Sequence, residues 1–304
     1  MSKFKSAVRS LRLRTLPLSL AGVCLGMLLA ASDYKVSPIV CVLVMLTTVS
    51  LQILSNLSNE LGDVLSGTDT EDRVGFMGGL DTGELSIKDM KMLIGGAFAA
   101  CIAFGLWMIR ESYGTLFCLE SICLMMLGAA AMAGAMKYTL GRNPYGYRGL
   151  GDIFVFIFFG LTSVLGSYFV VAHTIPTFWL LLPACAIGFF SVAVLNVNNI
   201  RDMKTDAATR VTVAIKLGLH WARVYQTVLI VLGWVCMVAF CLARFFDPWH
   251  YIYVVTLPLY VVHLRGVWKH EGSYLDKMLP LLVMATFALA LLAGFGFIAF
   301  LLFQ

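Results

Sequence analysis

The chain alternates between long apolar runs and short polar connections from end to end. Nine of the runs approach the length at which a helix crosses a bilayer, which is about 20 residues. These runs lie at about 15–31, 39–62, 92–109, 115–136, 153–172, 178–198, 221–243, 250–267 and 278–303. The pattern predicts an all-α membrane protein with nine transmembrane helices, which form a single domain over residues 1–304.

The composition agrees with this prediction. Hydrophobic residues make up 60% of the 304 residues and charged residues only 13%, which excludes a soluble globular domain. The N-terminal residues are rich in Lys and Arg, but no small-residue cleavage pattern follows the first apolar run. We expect an amphipathic basic leader at the membrane surface, followed by an uncleaved first span.

The basic residues fall mainly in alternate connections. Of 22 Lys and Arg residues, only Lys35, Arg110 and Arg244 lie in the opposite set of connections. The positive-inside rule therefore predicts a multi-pass protein of the cytoplasmic (inner) membrane with a cytoplasmic N-terminus. The long polar stretches 64–90 and 137–152 lie on that side, where we expect them to form functional cap loops.

Two acidic motifs follow the second and the sixth apolar run. They are Asn59 and Asp63 with Asp69 downstream, and Asn198 and Asp202 with Asp206 downstream. Each Asn precedes an Asp by four residues, which places both side chains on one helix face, about 6 Å apart along the axis. Carboxylates at the end of a span cost about 2.5 to 3.5 kcal/mol each at mid-depth, so a group of them requires a cation or an aqueous cavity.

The repeated spacing indicates an internal duplication. Helices 1–4 and 5–8 would form two four-helix halves around a central cavity, with a ninth helix added. Two facing sets of hard oxygen ligands suit Mg²⁺, which often bridges carboxylates to substrate phosphates. The candidate metal ligands are Asn59, Asp63, Asp69, Asp202 and Asp206.

Basic residues close to the motifs would neutralise the charge that develops on a departing diphosphate. The candidates are Arg73, Lys137, Arg142, Arg148, Arg201 and Lys204. Because the rest of the cavity is apolar and lies in lipid, a polyprenyl diphosphate is the expected substrate. Tyr138, Tyr145 and Tyr147 could flank an allylic cation with their ring faces.

At these residues the chain resembles the UbiA superfamily of membrane prenyltransferases. The details are most similar to the 1,4-dihydroxy-2-naphthoate polyprenyltransferases of menaquinone synthesis. Gly67 stands where 4-hydroxybenzoate prenyltransferases usually carry an Asp, and the leader holds Arg14-Thr-Leu-Pro17. The start of the fifth span, 147–160, also looks like that subfamily, whereas Glu60 stands where the pattern usually has Asp.

The resemblance implies transfer of the polyprenyl group to 1,4-dihydroxy-2-naphthoate with loss of the carboxylate, which gives a demethylmenaquinone. It implies two Mg²⁺ ions as cofactors, and the two substrates and the lipid bilayer as partners, without nucleic acid. The catalytic residues that it implies are Asn59, Asp63, Asp69, Asn198, Asp202 and Asp206.

Other functions compete with this interpretation. The acceptor could be another aromatic compound such as 4-hydroxybenzoate. An ion-coupled transporter also carries intramembrane acids, but here the acids cluster at one membrane face instead of at mid-span. A passive structural subunit would explain neither motif. Glu120 and His263 lie inside predicted spans but outside the motifs, and we expect an interhelix hydrogen bond for each.

Overall fold

The structure is a computed structural model that describes residues 3–67, 77–244 and 247–302. A leader helix, Lys3–Ser10, comes first, and nine helices in these ranges are long and apolar enough to cross a membrane. They are α1 Leu16–Asp33, α2 Pro38–Ser66, α3 Ile87–Tyr113, α4 Leu119–Lys137, α5 Gly151–Ala172, α6 Leu181–Arg201, α7 Val213–Arg244, α8 Pro248–Lys269 and α9 Leu275–Leu302. The first part of α8, Pro248–Thr256, is a 3₁₀ helix. The predicted all-α fold with nine spans is confirmed.

Several helices run beyond the apolar runs at the side where α2 and α6 end, which we call the motif side. The run that predicted α2 stops at 62, but the helix continues to Ser66, where Gly67 ends it in a left-handed conformation with φ 67°. The run that predicted α7 begins at 221; in the structure a short helical segment from Val213 precedes it, and Gly218, with the non-helical angles φ 74° and ψ 163°, separates the two. Backbone hydrogen bonds continue a helix above the bilayer, where polar side chains cost little.

The two halves meet in one apolar core. α1 packs against α5 and α9, α2 packs against α3, and α6 packs against α7. The core joins α1 and α5 to the last four spans, and Leu25, Phe190, Phe240 and Tyr260 are fully buried in it. Such packing holds the helices together in lipid, where the hydrophobic effect does not drive helix association.

A π-helical segment, Phe156–Thr162, interrupts α5. Such segments turn side chains out of the ordinary helical register and are frequent at functional sites. α5 also approaches α6 closely at this segment, because a Cβ atom built on Gly160 would lie 2.7 Å from the carbonyl oxygen of Ala184 and overlap the backbone at Gly188. The absence of a side chain at residue 160 is therefore a packing requirement.

The two polar residues predicted inside spans have different environments. His263 in α8 is fully buried, and its Nδ1 lies 2.9 Å from the carbonyl oxygen of Met278 in α9, to which it donates. Its Nε2 then accepts from the Gln226 amide of α7 at 3.0 Å, so the predicted interhelix hydrogen bond is confirmed. Glu120 is exposed in the first turn of α4, and among the described residues it makes no such bond.

The packing of α5 on α6 leads to a stability prediction. We expect Gly160→Ala to destabilise the protein by about 1 to 3 kcal/mol, because the added methyl overlaps backbone atoms that cannot move aside. Gly166→Ala in the same helix is the matched control, since nothing lies within 4 Å of its Cβ position. Thermal unfolding in detergent measures both variants, and equal midpoints would contradict the packing argument.

Candidate functional site

A polar cavity of about 250 Å³ lies at the motif side between the ends of α2 and α6. It brings Asn59 and Asp63 of the first motif together with Asn198 and Arg201 of the second. The turn after the leader helix and the start of α9 complete its walls. The two motifs therefore face one space, as their spacing predicted.

Arg210 joins carboxylates from the two halves of the chain. Its Nη2 lies 2.8 Å from Asp206 Oδ1, and its Nη1 lies 3.9 Å from Asp63 Oδ1. Burial disfavours the charge on this guanidinium, but the two carboxylates outweigh that effect and raise the pKa of Arg210 above its ordinary value. The Tyr147 hydroxyl also donates to Asp63 Oδ1 at 2.7 Å, so the connection 138–150 is tied to the first motif.

Arg201 forms ion pairs with carboxylates of the second motif and of α9. Its Nε and Nη2 bind the two oxygens of Asp202 at 2.7 and 2.6 Å, a bidentate geometry that fixes both side chains. Nη1 reaches Asp276 Oδ1 at 2.6 Å, and Nη2 donates to Asn198 Oδ1 at 2.9 Å. The second motif is thereby fastened to the first turn of α9.

Asn59 lies half-buried where the polar cavity meets an apolar one. The Thr139 hydroxyl donates to Asn59 Oδ1 at 3.2 Å. Tyr138 lines both cavities, and burial raises the pKa of its phenol to about 12, with the Arg210 charge acting in the opposite direction. The phenol is therefore neutral at physiological pH.

The apolar cavity is a chamber of about 350 Å³ enclosed mainly by α1, α2, α4 and α5. On α2 its lining runs from Asn59 to Val44, a length of about 22 Å at 1.5 Å per residue. Aromatic rings form one wall: Tyr145 stacks on Phe154 with centroids 3.9 Å apart, and Phe158 follows at 6.2 Å. The π-helical segment of α5 contributes to this wall.

A second apolar groove of about 660 Å³ continues the chamber between α4 and α5. The chamber and the groove share Leu124, Leu127, Thr162 and Gly166. At its far end the groove reaches Phe178, whose side chain is exposed. The chamber is thus connected to the outer apolar surface of the helices.

The structure brings together only some of the predicted site residues. Those at or directly bonded within the polar cavity are Asn59, Asp63, Asn198, Arg201, Asp202 and Asp206. The basic residues Lys137, Arg142, Arg148 and Lys204 are exposed and line neither cavity, so their contact with diphosphate stays a prediction. Asp69 and Arg73 lie outside the described residues.

Sequence reasoning did not select several residues that line or bridge the site. Arg210 stands four residues after Asp206, and this helical spacing was the available signal. Arg12 and Arg14 line the polar cavity from the leader turn, although the leader was assigned only to the membrane surface. For Asp276, the only sequence feature that could have predicted a place in the site is its position at the start of the ninth span.

The oxygen donors suit a hard divalent cation. Asp63 and Asp206 already share one positive group, the Arg210 guanidinium, so positive charge between the two motifs is favourable. In the described part of the chain, however, no three carboxylate, thiol or imidazole side chains form a ready metal cluster. Asn59, Asp63, Asp202 and Asp206 supply the carboxylate and amide oxygens that such a cation prefers.

Comparison with known proteins gives consistent results. Residues 19–279 match the model of the UbiA prenyltransferase family. A Haemophilus influenzae protein is 37% identical over 302 residues, which cover 96% of this chain and 97% of the relative. An Escherichia coli protein is 38% identical over 272 residues, with 88% and 87% covered. Both relatives carry the name 1,4-dihydroxy-2-naphthoate octaprenyltransferase.

Two solved structures share the fold. The apo UbiA homologue from Aeropyrum pernix superposes with a TM-score of 0.66 at 14% identity, covering 95% of this chain and 97% of that one. The Archaeoglobus fulgidus homologue, solved with GPP and Mg²⁺, gives a TM-score of 0.63 at 16% identity, with 97% and 99% covered. At these identities the likeness concerns the arrangement of the helices.

The Arg210 bridge leads to a second prediction. Arg210→Ala should lower the free energy of unfolding by about 2 to 3 kcal/mol, because it leaves two buried carboxylates without their shared cation. The expected loss is smaller than that for a fully buried ion pair, because the Arg210 side chain is 14% exposed and solvent screens part of its charge. Thermal unfolding in detergent, with exposed Arg148→Ala as control, measures the effect. Equal midpoints would show that the bridge contributes nothing.

Proposed function

The chain belongs to the UbiA prenyltransferase family, and on this basis we propose that it transfers a polyprenyl group from polyprenyl diphosphate to 1,4-dihydroxy-2-naphthoate in menaquinone biosynthesis. One observation carries the proposal: residues of both acidic motifs, among them Asp63 and Asn198, line a polar cavity that adjoins an apolar chamber. A charged headgroup and a long hydrocarbon chain require this pair of environments. The names of the similar bacterial proteins support the choice of acceptor.

The chamber suits the prenyl chain. Its length of about 22 Å and its apolar lining bury the hydrocarbon, while the diphosphate stays among the polar residues near Asn59. The ring wall of Tyr145, Phe154 and Phe158 stabilises positive charge on the allylic carbon through the ring faces. The apolar lining of the chamber also disfavours water beside that charge.

We propose Mg²⁺ as the cofactor, in two ions, held by Asn59, Asp63 and Asp69 from the first motif and by Asp202 and Asp206 from the second. Mg²⁺ bound there supplies positive charge to the diphosphate. Arg201 and Arg210 hold the carboxylates in place and add their own charge beside the leaving group. Arg73, Lys137, Arg142, Arg148 and Lys204 remain candidates for further diphosphate contacts.

The reaction proceeds by ionisation in this proposal, because no nucleophile with an adjacent base stands at the cavity among the described residues. The allylic C–O bond breaks and its electron pair leaves with diphosphate. The electron-rich ring then forms a C–C bond from the carbon that bears the carboxylate. The bond to that carboxylate breaks, CO₂ leaves, and the electron pair restores the aromatic ring, which gives a demethylmenaquinone in its quinol form.

The chain is a multi-pass membrane protein. We place it in the inner membrane as a single catalytic domain, with the motif side towards the cytoplasm. The basic residues support this orientation, since all but three of the 22 fall on the motif side. The soluble acceptor would then enter from the cytoplasm.

The acceptor assignment has a direct test. Purified protein supplied with a polyprenyl diphosphate and Mg²⁺ should convert 1,4-dihydroxy-2-naphthoate to prenylated quinol and release one CO₂ per product, measured by mass spectrometry and carboxyl-labelled acceptor. 4-Hydroxybenzoate, offered alongside, should react about 100-fold more slowly, because it lacks the apolar contact area of the second ring. Preferential use of the benzoate would replace the proposed function by its alternative.

The metal assignment has its own test. Asp63→Asn and Asp202→Asn should each lower kcat by about 100-fold or more, the usual cost of losing a group that stabilises the transition state. EDTA should abolish the activity of the unmodified protein, and added Mg²⁺ should restore it. Glu120→Gln, exposed in α4, is the control and should keep full activity. Normal turnover in either Asp variant would place the metal elsewhere.

A further inference from the structure

α2 carries a polar stripe that packs against the leader and, through Gln52 and Asn56, also borders the cavities. Gln52, Asn56 and Glu60 follow one another at intervals of four residues, so they share one helix face. Their exposed fractions are 8%, 5% and 0%. Polar groups buried at the end of a membrane span require partners, and the leader supplies them.

The stripe holds the chain on both sides of Arg12. Glu60 Oε1 accepts from Ser10 Oγ at 3.0 Å. Asn56 Nδ2 donates to the carbonyl oxygen of Leu11 at 2.8 Å and to Thr15 Oγ1 at 3.1 Å. Gln52 supports this contact, because its Nε2 donates to Asn56 Oδ1 at 2.9 Å. The leader turn is thus fastened before and after residue 12.

Arg12 adopts a left-handed backbone conformation, with φ 50° and ψ 50°. A non-glycine residue there costs of order 1 kcal/mol or more and persists where the surrounding contacts enforce it. The result of this conformation is that Arg12 and Arg14 both line the polar cavity beside Asn59. The strain and the buried stripe together present two guanidinium groups to the site.

The charges in the cavity divide into two groups. Arg201 and Arg210 are engaged with the carboxylates of the acidic motifs, at the end where the diphosphate would lie. Arg12 and Arg14 enter the cavity from the leader, where Arg12 lies near Glu60 and Arg14 lies near Arg201 and Asp276. The aromatic acceptor is itself an anion. Its carboxylate and the diphosphate repel each other in one small cavity unless a cation lies beside each of them.

We propose that Arg12 and Arg14 bind the carboxylate of the aromatic acceptor. The planar guanidinium fork matches a carboxylate in bidentate geometry. Held there, the acceptor lies in the cavity that shares Asn59 and Tyr138 with the chamber of the prenyl chain. The inference rests on the proposed function for the identity of the acceptor.

Equilibrium binding without prenyl diphosphate tests this site. The probes are 1-hydroxy-2-naphthoate, 1-naphthol, which lacks the carboxylate, and inorganic diphosphate with Mg²⁺. Arg12→Gln and Arg14→Gln should each weaken binding of the hydroxynaphthoate by about 10- to 100-fold, the usual effect of losing a charged hydrogen bond. The affinities for 1-naphthol and for diphosphate should change by less than about threefold, because neither probe carries a carboxylate.

The controls separate charge from folding. Arg110→Gln, an exposed change at the far end of α3, should alter none of the three affinities. Retained diphosphate binding reports that a variant is folded. If a Gln variant does not accumulate, the corresponding Lys variant keeps the charge without the fork and should show a smaller but measurable loss for the hydroxynaphthoate alone.

Two outcomes would overturn the inference. A loss of diphosphate affinity as large as the loss for the hydroxynaphthoate would assign both arginines to the leaving group. Unchanged hydroxynaphthoate affinity in both variants would leave the leader turn without a binding role. Failure of the proposed function looks different: the unmodified protein would bind the hydroxynaphthoate through these arginines and yet form no prenylated product.

Discussion

Burial of carboxylates at the end of a membrane helix is the constraint on which the motif side depends. Asp63, Asp202 and Asp206 are at most 4% exposed, and each is bonded to an arginine. Arg210 joins carboxylates from the two halves, so the halves cannot separate without leaving buried charges uncompensated. The pairs that hold the halves together therefore also concentrate the charge that the chemistry needs.

The fold was predictable because a bilayer leaves few choices. Each span must satisfy its own backbone hydrogen bonds and present apolar side chains, so run length alone predicted nine helices. The same rule says nothing about where a helix ends above the bilayer. For this reason the extension of α2 to Ser66 and the kink at Gly218 near the start of α7 were not predicted.

The site was predictable where chemistry and helical spacing coincide. The Asn59 and Asn198 motifs could be placed at one cavity because both end spans on the same side. Arg210 could have been selected from its position four residues after Asp206. Arg12 could not, since its position depends on a left-handed turn that tertiary contacts enforce. Glu60 also could not be interpreted from sequence alone. It is an acidic residue inside a motif, but its carboxylate accepts hydrogen bonds from Ser10 of the leader and from the backbone N–H of Leu80.

The groove between α4 and α5 has a kinetic consequence. Its apolar wall continues the chamber lining to exposed Phe178, which gives a hydrocarbon chain an apolar route between the chamber and the lipid. Occupancy is then governed by the number of prenyl molecules per unit area of membrane. Extra lipid, added at constant amounts of enzyme and substrate, lowers the rate by surface dilution even though every concentration per volume of water stays the same.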